Sequence, residues 1–301
     1  MAVTTPPISE AQNTDNSRRH VAAQARTYSD AKAAFGIRVF VVFLLAVVGA
    51  VCAVRFPSAR GLIGGGGGAA LLLLSIAAGS LEKTWRYRAA AIQEEFDTSV
   101  FQIRWNRHQA DRPISHEVYR AANRYDGGRD GNWYESTEST CRPYDVLICQ
   151  SSNLGWGTSM HFRWAWMLIG ALTFLVLALL GAKGILHLSM SDFLLAVAVP
   201  FLAPIKEIFD QIKSNFETAS AKATAERKIT DLWNQGMGGG ETPSEQDLRD
   251  IQDKILQFRQ SNPYIPDWLD GLFHSKNEAA MRSSVKDRVE EARRRGHAKG
   301  A

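Results

Sequence analysis

The sequence predicts a mainly α-helical, polytopic membrane protein with four transmembrane helices, a cytoplasmic insertion between the second and third, and a helical cytoplasmic tail. Three observations predict it. Hydrophobic residues make up 45% of the 301 but are gathered into a few blocks, so the mean hydropathy of −0.18 hides them. The block 164–182 (WAWMLIGALTFLVLALLGA) carries no charge, and about 20 apolar residues rising 1.5 Å each cross a hydrocarbon core ~30 Å thick. Finally, Lys and Arg are sparse in the short loops within each pair of blocks and frequent everywhere else.

Taken in order, residues 1–34 form a cytoplasmic N-terminal segment. It lacks a short apolar core followed by a cleavage site, so no secretory signal is expected, and 8–34 reads as a loosely amphipathic, alanine-rich helix. Residues 35–80 hold the first two membrane helices. The first, 35–54 (FGIRVFVVFLLAVVGAVCAV), has Arg38 near enough to its start to snorkel to the interface. A loop at 55–60 containing Pro57 turns the chain back, and 61–80 (GLIGGGGGAALLLLSIAAGS) is uncharged and built from small residues.

The cytoplasmic central segment, 81–163, continues the second span as a helix. It then shows turn signals at Asp126-Gly127-Gly128 and Asp130-Gly131 and a short apolar run, 145–149, with the look of a strand. Residues 164–205 hold the third and fourth spans, 164–182 and 186–205. The fourth carries His187 and Asp192, and Pro200 and Pro204 remove two backbone donors, so it is expected to bend where it leaves the membrane. In the tail, 206–301, helical spacing runs to a stop at 236–240. Ser244 with Asp247 forms a capping-box pattern for the next helix, and Asp267-Trp268 opens the last one.

Arg26, Lys32, Lys83, Arg86, Arg88, Arg163, Lys206 and Lys213 flank one set of span ends, against Arg55, Arg60 and Lys183 in the two short loops. Both termini and the central segment are therefore expected in the cytoplasm, in a bacterial inner membrane. The net charge of +4 and pI near 9.0 are spread over every polar segment, which suits anionic lipid head groups and argues against nucleic acid. Cys52, Cys141 and Cys149 have no metal-ligand or disulfide spacing.

Glu94, Glu95 and Asp97 with His108 and His116 invite a metal or acid/base reading; the plainer one is a solvated helix face paired with Arg86, Arg88 and Arg104. Cys149, ending an apolar run, reads as core packing. No catalytic residue and no metal ligand is assigned, and no enzyme activity is expected. Gly64, Gly65, Gly66, Gly67 and Gly68 are followed by no Lys-Ser/Thr, so they are not a phosphate loop. Either they allow close helix contact or they make a helix weak enough to deform. Asp192 is an interfacial residue at the outer hairpin tip or faces a pore.

Several stretches together resemble a known family, the four-transmembrane effectors associated with bacterial nucleotide second-messenger synthetases. They are QN (12–13), EEFDTSVFQIRWN (94–106), WY (133–134), LICQSSNLGW (147–156), RDIQDKILQFRQSNPYIPDW (249–268) and NEAAM (277–281). The chain departs from the family's pattern at Ser151, where an arginine follows Cys-Gln, and at Gly157, where an acid follows the tryptophan. The resemblance implies a pore-forming effector of anti-phage defence, triggered by a cyclic nucleotide from a partner synthetase. Arg104, Trp105, Asn106, Arg107, Arg142, Asn153 and Trp156 combine guanidinium, aromatic and amide groups, a set able to hold phosphates and stack a base, although the same residues also serve structure. Four helices with small faces enclose no wide path alone, so homo-oligomers in the lipid bilayer are expected. The alternatives are a membrane-anchored scaffold or sensor that recruits a cytoplasmic partner, and a membrane-bound enzyme.

Overall fold

Asp15 opens a helix that does not stop until Arg55. In this computed structural model, which describes residues 6–127, 131–137, 140–155 and 157–298, the predicted N-terminal helix and first span are thus one element, because no Pro or cap interrupts 16–54. The order is α1 (Ile8–Ala11), α2 (Asp15–Arg55), a 3₁₀ turn (Pro57–Ala59), a π-helical turn (Gly61–Gly66), α3 (Gly67–Phe101), α4 (Ser115–Ala122), α5 (Tyr144–Gly155) and α6 (Thr158–Ile185). It continues with α7 (Met190–Phe193), a second π-helical turn (Leu194–Ala198), α8 (Leu202–Met237), α9 (Glu245–Ser261) and α10 (Asp267–Arg294). The predicted strand at 145–149 is instead the middle of α5. So short an apolar run fits either element, and here Tyr144, Val146, Leu147 and Ile148 are buried on more than one helix face. Among the described residues the only β-type pairing is an isolated bridge between Thr140 and Ala298. The turn residues Gly128 and Asp130 lie outside the described residues.

Two compact units share these helices. The first comprises Asp30–Trp85 and Phe162–Phe216. Its inward faces are small: Val42, Ala46, Ala50 and Ala53 on α2 are all buried, with Leu71, Phe201 and Ala203 against the first three. Its outward faces are large and apolar, including Phe40, Leu73, Leu74, Phe174 and Leu177, each more than half exposed. That inversion is what lipid demands. Among the described residues three helical stretches are long and apolar enough to cross a membrane: Asp15–Arg55, Gly61–Phe101 and Tyr144–Ile185. The predicted fourth span, 186–205, is not one helix. His187 takes a left-handed backbone (φ 48°), Ser189 accepts from the Asp192 amide to start α7, and the regular hydrogen-bond ladder is interrupted again at 199–201, although Val199 keeps helical dihedrals. Pro200 has no amide proton to continue the ladder, whereas Pro204 sits harmlessly in the first turn of α8.

The second unit comprises Met1–Ser29, Arg86–His161 and Glu217–Ala301. Its core gathers Ile8 and Val21, Phe96 and Phe101, Tyr134, Leu147, Trp233, Ile251 and Val289. Phe96 stacks on Tyr134 with ring centroids 6.1 Å apart, and Tyr144 meets Trp233 edge-on at 5.8 Å. Helix α3 ends where Gln102 turns left-handed (φ 57°), and Arg142 donates to the freed carbonyls of Val100 and Phe101. The predicted capping box is present: the Ser244 hydroxyl accepts from the Asp247 amide at 3.2 Å, and the Asp247 carboxylate accepts from the Ser244 amide at 3.0 Å. Gly239 (φ 82°) follows α8, and Gly236 within it has no room for a Cβ because the Tyr144 phenol lies against it.

Candidate functional site

Glu94 and Asp97, one turn apart on α3, are 1% and 0% exposed, so the solvated face expected from sequence is instead the most deeply buried polar cluster of its unit. Their partners are not Arg86, Arg88 or Arg104 but side chains of α9. Asp97 accepts from Tyr134 Oη at 2.6 Å, from Gln252 Nε2 at 2.9 Å and from Arg259 Nη1 at 2.6 Å. Glu94 accepts from Arg249 Nη2 at 2.7 Å and from Gln252 Nε2 at 2.8 Å, while Arg249 also reaches Asp253 at 2.7 Å. Charge-assisted bonds of this kind are what make two interior carboxylates tolerable. Burial pushes the Glu94 carboxyl up, with Arg249 pulling it back. Burial and then Asp97 push the Tyr134 phenol up, so it stays a donor. Glu95 points elsewhere, to His20 and Arg112.

Five of the six stretches that carry the family resemblance converge here. Gln12 clamps the backbone of Tyr134, donating to its carbonyl at 3.1 Å and accepting from its amide at 2.7 Å, and Asn13 donates to the Asn132 side-chain oxygen at 2.9 Å and accepts from its amide at 3.0 Å. Asn153 donates to Tyr134 Oη at 2.8 Å, and Gln150 to the Leu248 carbonyl at 2.8 Å. Cys149 is buried and its thiol is pushed up by burial, which suits packing and not attack. Among the described residues no group of His, Cys, Asp and Glu is placed to hold a metal ion.

The residues proposed from sequence to hold a nucleotide fall in several settings. Arg104 is exposed and pairs loosely with Glu245, and Arg107 is exposed. Trp105 donates to the Ala110 carbonyl beneath Arg112. Asn106 donates to Asp253 at 2.7 Å. Arg142 is committed to the end of α3 and to Asp145, and Asn153 to Tyr134. Trp156 lies outside the described residues.

In the other unit the glycine run resolves into two kinds of position. A Cβ on Gly64 would overlap the Leu195 carbonyl, and one on Gly68 would sit 2.9 Å from Val199 Cγ1 and 3.0 Å from its carbonyl oxygen. Around Gly65 and Gly67 there is nothing within 4 Å, and at Gly66 only a Leu62 methyl at 3.7 Å. The contact face is therefore Gly64 and Gly68, one turn apart. The close contact at Gly64 is made between two π-helical turns, Gly61–Gly66 and Leu194–Ala198. Val199 donates to Leu194 at 3.0 Å and Pro200 donates to nothing, so the Leu195 carbonyl faces the Gly64 Cα in place of a helical amide. Asp192 pairs with Arg60 and so ties the two hairpin tips together.

Arg38 does not snorkel. It is 12% exposed and binds Glu207 through both oxygens at 2.6 and 3.1 Å and Glu82 at 3.2 Å, joining α2, α3 and α8. A distant carboxylate pair competes better than the interface when all three helices pack closely, and no sequence spacing reveals it.

The sequence profile of the SMODS-associating 4TM effector domain matches residues 6–288. A protein of Bacillus cereus (strain VD146) described as "Probable CBASS effector molecule" is 27% identical over 211 residues, covering 67% of this chain and 69% of that protein. No solved structure matches the chain.

Proposed function

The chain belongs to the SMODS-associating 4TM effector family, and on that premise we propose that it is a membrane-disrupting CBASS effector of bacterial anti-phage defence, switched on by a nucleotide second messenger from a partner synthetase. The chain crosses the inner membrane four times, the broken limb 186–205 being the fourth crossing. Both termini and the central segment lie in the cytoplasm, and copies associate to form the conducting state.

The observation that carries this reading is the paired π-helical joint. A resting effector must stay closed, and its opening requires an element with two arrangements that a trigger can bias. Two π turns packed through Gly64, with Gly68 at the start of α3 against Val199 and the proline break beside them, suit such an element. To reverse a 1:99 population the trigger must prefer the open form by ~5.5 kcal/mol. A non-enzymatic role is supported by Glu94 and Asp97, whose oxygens are engaged by Arg249, Gln252, Tyr134 and Arg259.

The test is dye leakage from liposomes holding the full chain with its cytoplasmic face outward, with a panel of cyclic nucleotides added. Leakage on addition of one nucleotide is expected. Equal leakage with and without every nucleotide would overturn the triggered reading and favour a scaffold. A reporter inserted at Ser58 should read as external and one at Gly127 as cytoplasmic; an external signal at Gly127 rules out the four-span topology.

A further inference from the structure

Helices α2, α8 and α9 bring donor groups into the interior of the unit formed by Met1–Ser29, Arg86–His161 and Glu217–Ala301, and the described residues give them no acceptor. Nε2 of Gln24, Oη of Tyr28 and Nη2 of Arg259 are buried without a hydrogen-bond partner. Lys222 is 7% exposed, with no carboxylate at ion-pair distance among the described residues; the carboxylate acting on it is Glu226, one turn along α8. These heads share one region. Tyr28 and Arg259 act on each other electrostatically, as do Lys222 and Arg259, and Gln24 lies one turn before Tyr28 on the same face of α2.

Interior donors are almost always satisfied, and several orphans in one place call for a missing acceptor. The carboxylates that act on these heads are already engaged. Asp97 already accepts from Tyr134, Gln252 and Arg259, and Glu226 accepts from Thr158 at 3.2 Å. The Lys222 amine packs close to Gly157, where a Cβ would lie 2.4 Å from it. Burial holds the Lys222 amine down to about 8, so an arriving anion restores a full charge that the empty site disfavours.

We propose that Gln24, Tyr28, Lys222 and Arg259 form a buried recognition site for phosphate oxygens. On the reading of a nucleotide-triggered effector, on which this part rests, the site holds the phosphodiester of the trigger. An oxyanion supplies several lone pairs and a negative charge to heads that are all donors, two of them cationic. A site built this way is unfavourable when empty, so removing a head should stabilise the resting protein while weakening the ligand.

The test uses the full chain in nanodiscs, with Tyr28→Phe and Lys222→Met. Pyrophosphate is titrated as the bare anion, and cyclic di- and trinucleotides are titrated separately; the readouts are affinity, thermal midpoint and liposome leakage. Saturable pyrophosphate binding is expected, weakened about tenfold or more in each variant, with the midpoint unchanged or raised. A purely structural role predicts a lowered midpoint. No saturable binding to the parent, or unchanged affinity in both variants, means that water meets these donors and overturns the site. If pyrophosphate binding depends on Tyr28 and Lys222 but no cyclic nucleotide causes leakage, the site stands and the triggered reading fails. If a nucleotide causes leakage at the same concentration in the parent and both variants, the trigger stands and the site fails.

Discussion

Replacing Gly64 with alanine and, separately, Gly65 with alanine puts the same methyl one residue apart into opposite surroundings. At Gly65 the new Cβ meets nothing within 4 Å, so the change should act only through the helix backbone and stabilise by about 0.5–1 kcal/mol. At Gly64 the Cβ overlaps the Leu195 carbonyl, a backbone atom that cannot rotate away. Overpacking costs about 1–3 kcal/mol, and the upper end applies where the main chain itself must shift. The two variants should differ by about 2–4 kcal/mol, and 2 kcal/mol is already about a thirtyfold change in the folding equilibrium. Reversible unfolding in mixed detergent micelles measures that difference, and Gly68→Ala should fall with Gly64→Ala, since its Cβ would lie 2.9 Å from Val199 Cγ1. Equal stability of the Gly64 and Gly65 variants would refute the close packing of the two π turns.

Arg38→Met leaves Glu82 and Glu207 buried without their cation and should cost about 3–5 kcal/mol in the same assay. Tyr134→Phe strips Asp97 of one donor and Asn153 of its acceptor, and should cost about 1–3 kcal/mol by chemical denaturation. For Lys222, whose folded-state value lies near 8 against 10.5 unfolded, the unfolded chain binds more protons between those values. Stability should therefore rise from pH 8 to 10.5 by up to about 3 kcal/mol, and the rise should vanish in Lys222→Met. The His20–Glu95 pair has the opposite slope at its upper edge. Glu95 and the Asn16 carbonyl outweigh burial and raise His20, and His20 lowers Glu95, so the stabilisation is lost both as pH climbs through the raised His20 value and as it falls through the lowered Glu95 value. His20→Gln should flatten both edges of the profile.

Local chemistry was legible in the sequence and long-range pairing was not. Ser244 and Asp247 announce their helix because both halves of a capping box lie within four residues. The glycine run announced close contact, but only the helix register separates Gly64 and Gly68 from Gly65 and Gly67. The run at 145–149 was misread as a strand because so short an apolar run carries no period long enough to tell the two apart. Glu94 and Asp97 looked like an ordinary solvated face since their cations, Arg249 and Arg259, stand 155 and 162 residues away. Lys222 sits in a charged helix, KATAERK, that any pattern would leave in solvent. What the family resemblance contributed was the set of stretches that meet at Tyr134, without saying that they meet.

The second unit is assembled from three separated pieces of chain, Met1–Ser29, Arg86–His161 and Glu217–Ala301. Asp97 and Glu94 wait for Arg259, Gln252 and Arg249, all on α9. During synthesis every apolar stretch therefore emerges before the residues that complete this unit. Contacts of such long sequence separation form late, so a ribosome-bound copy holds its spans in the bilayer while its polar network is still unmade. A copy truncated before α9 would lack that network permanently. Translation thus sets an order: the apolar stretches are made first, and the proposed anion site, which includes Arg259, can be complete only once α9 has been delivered and docked.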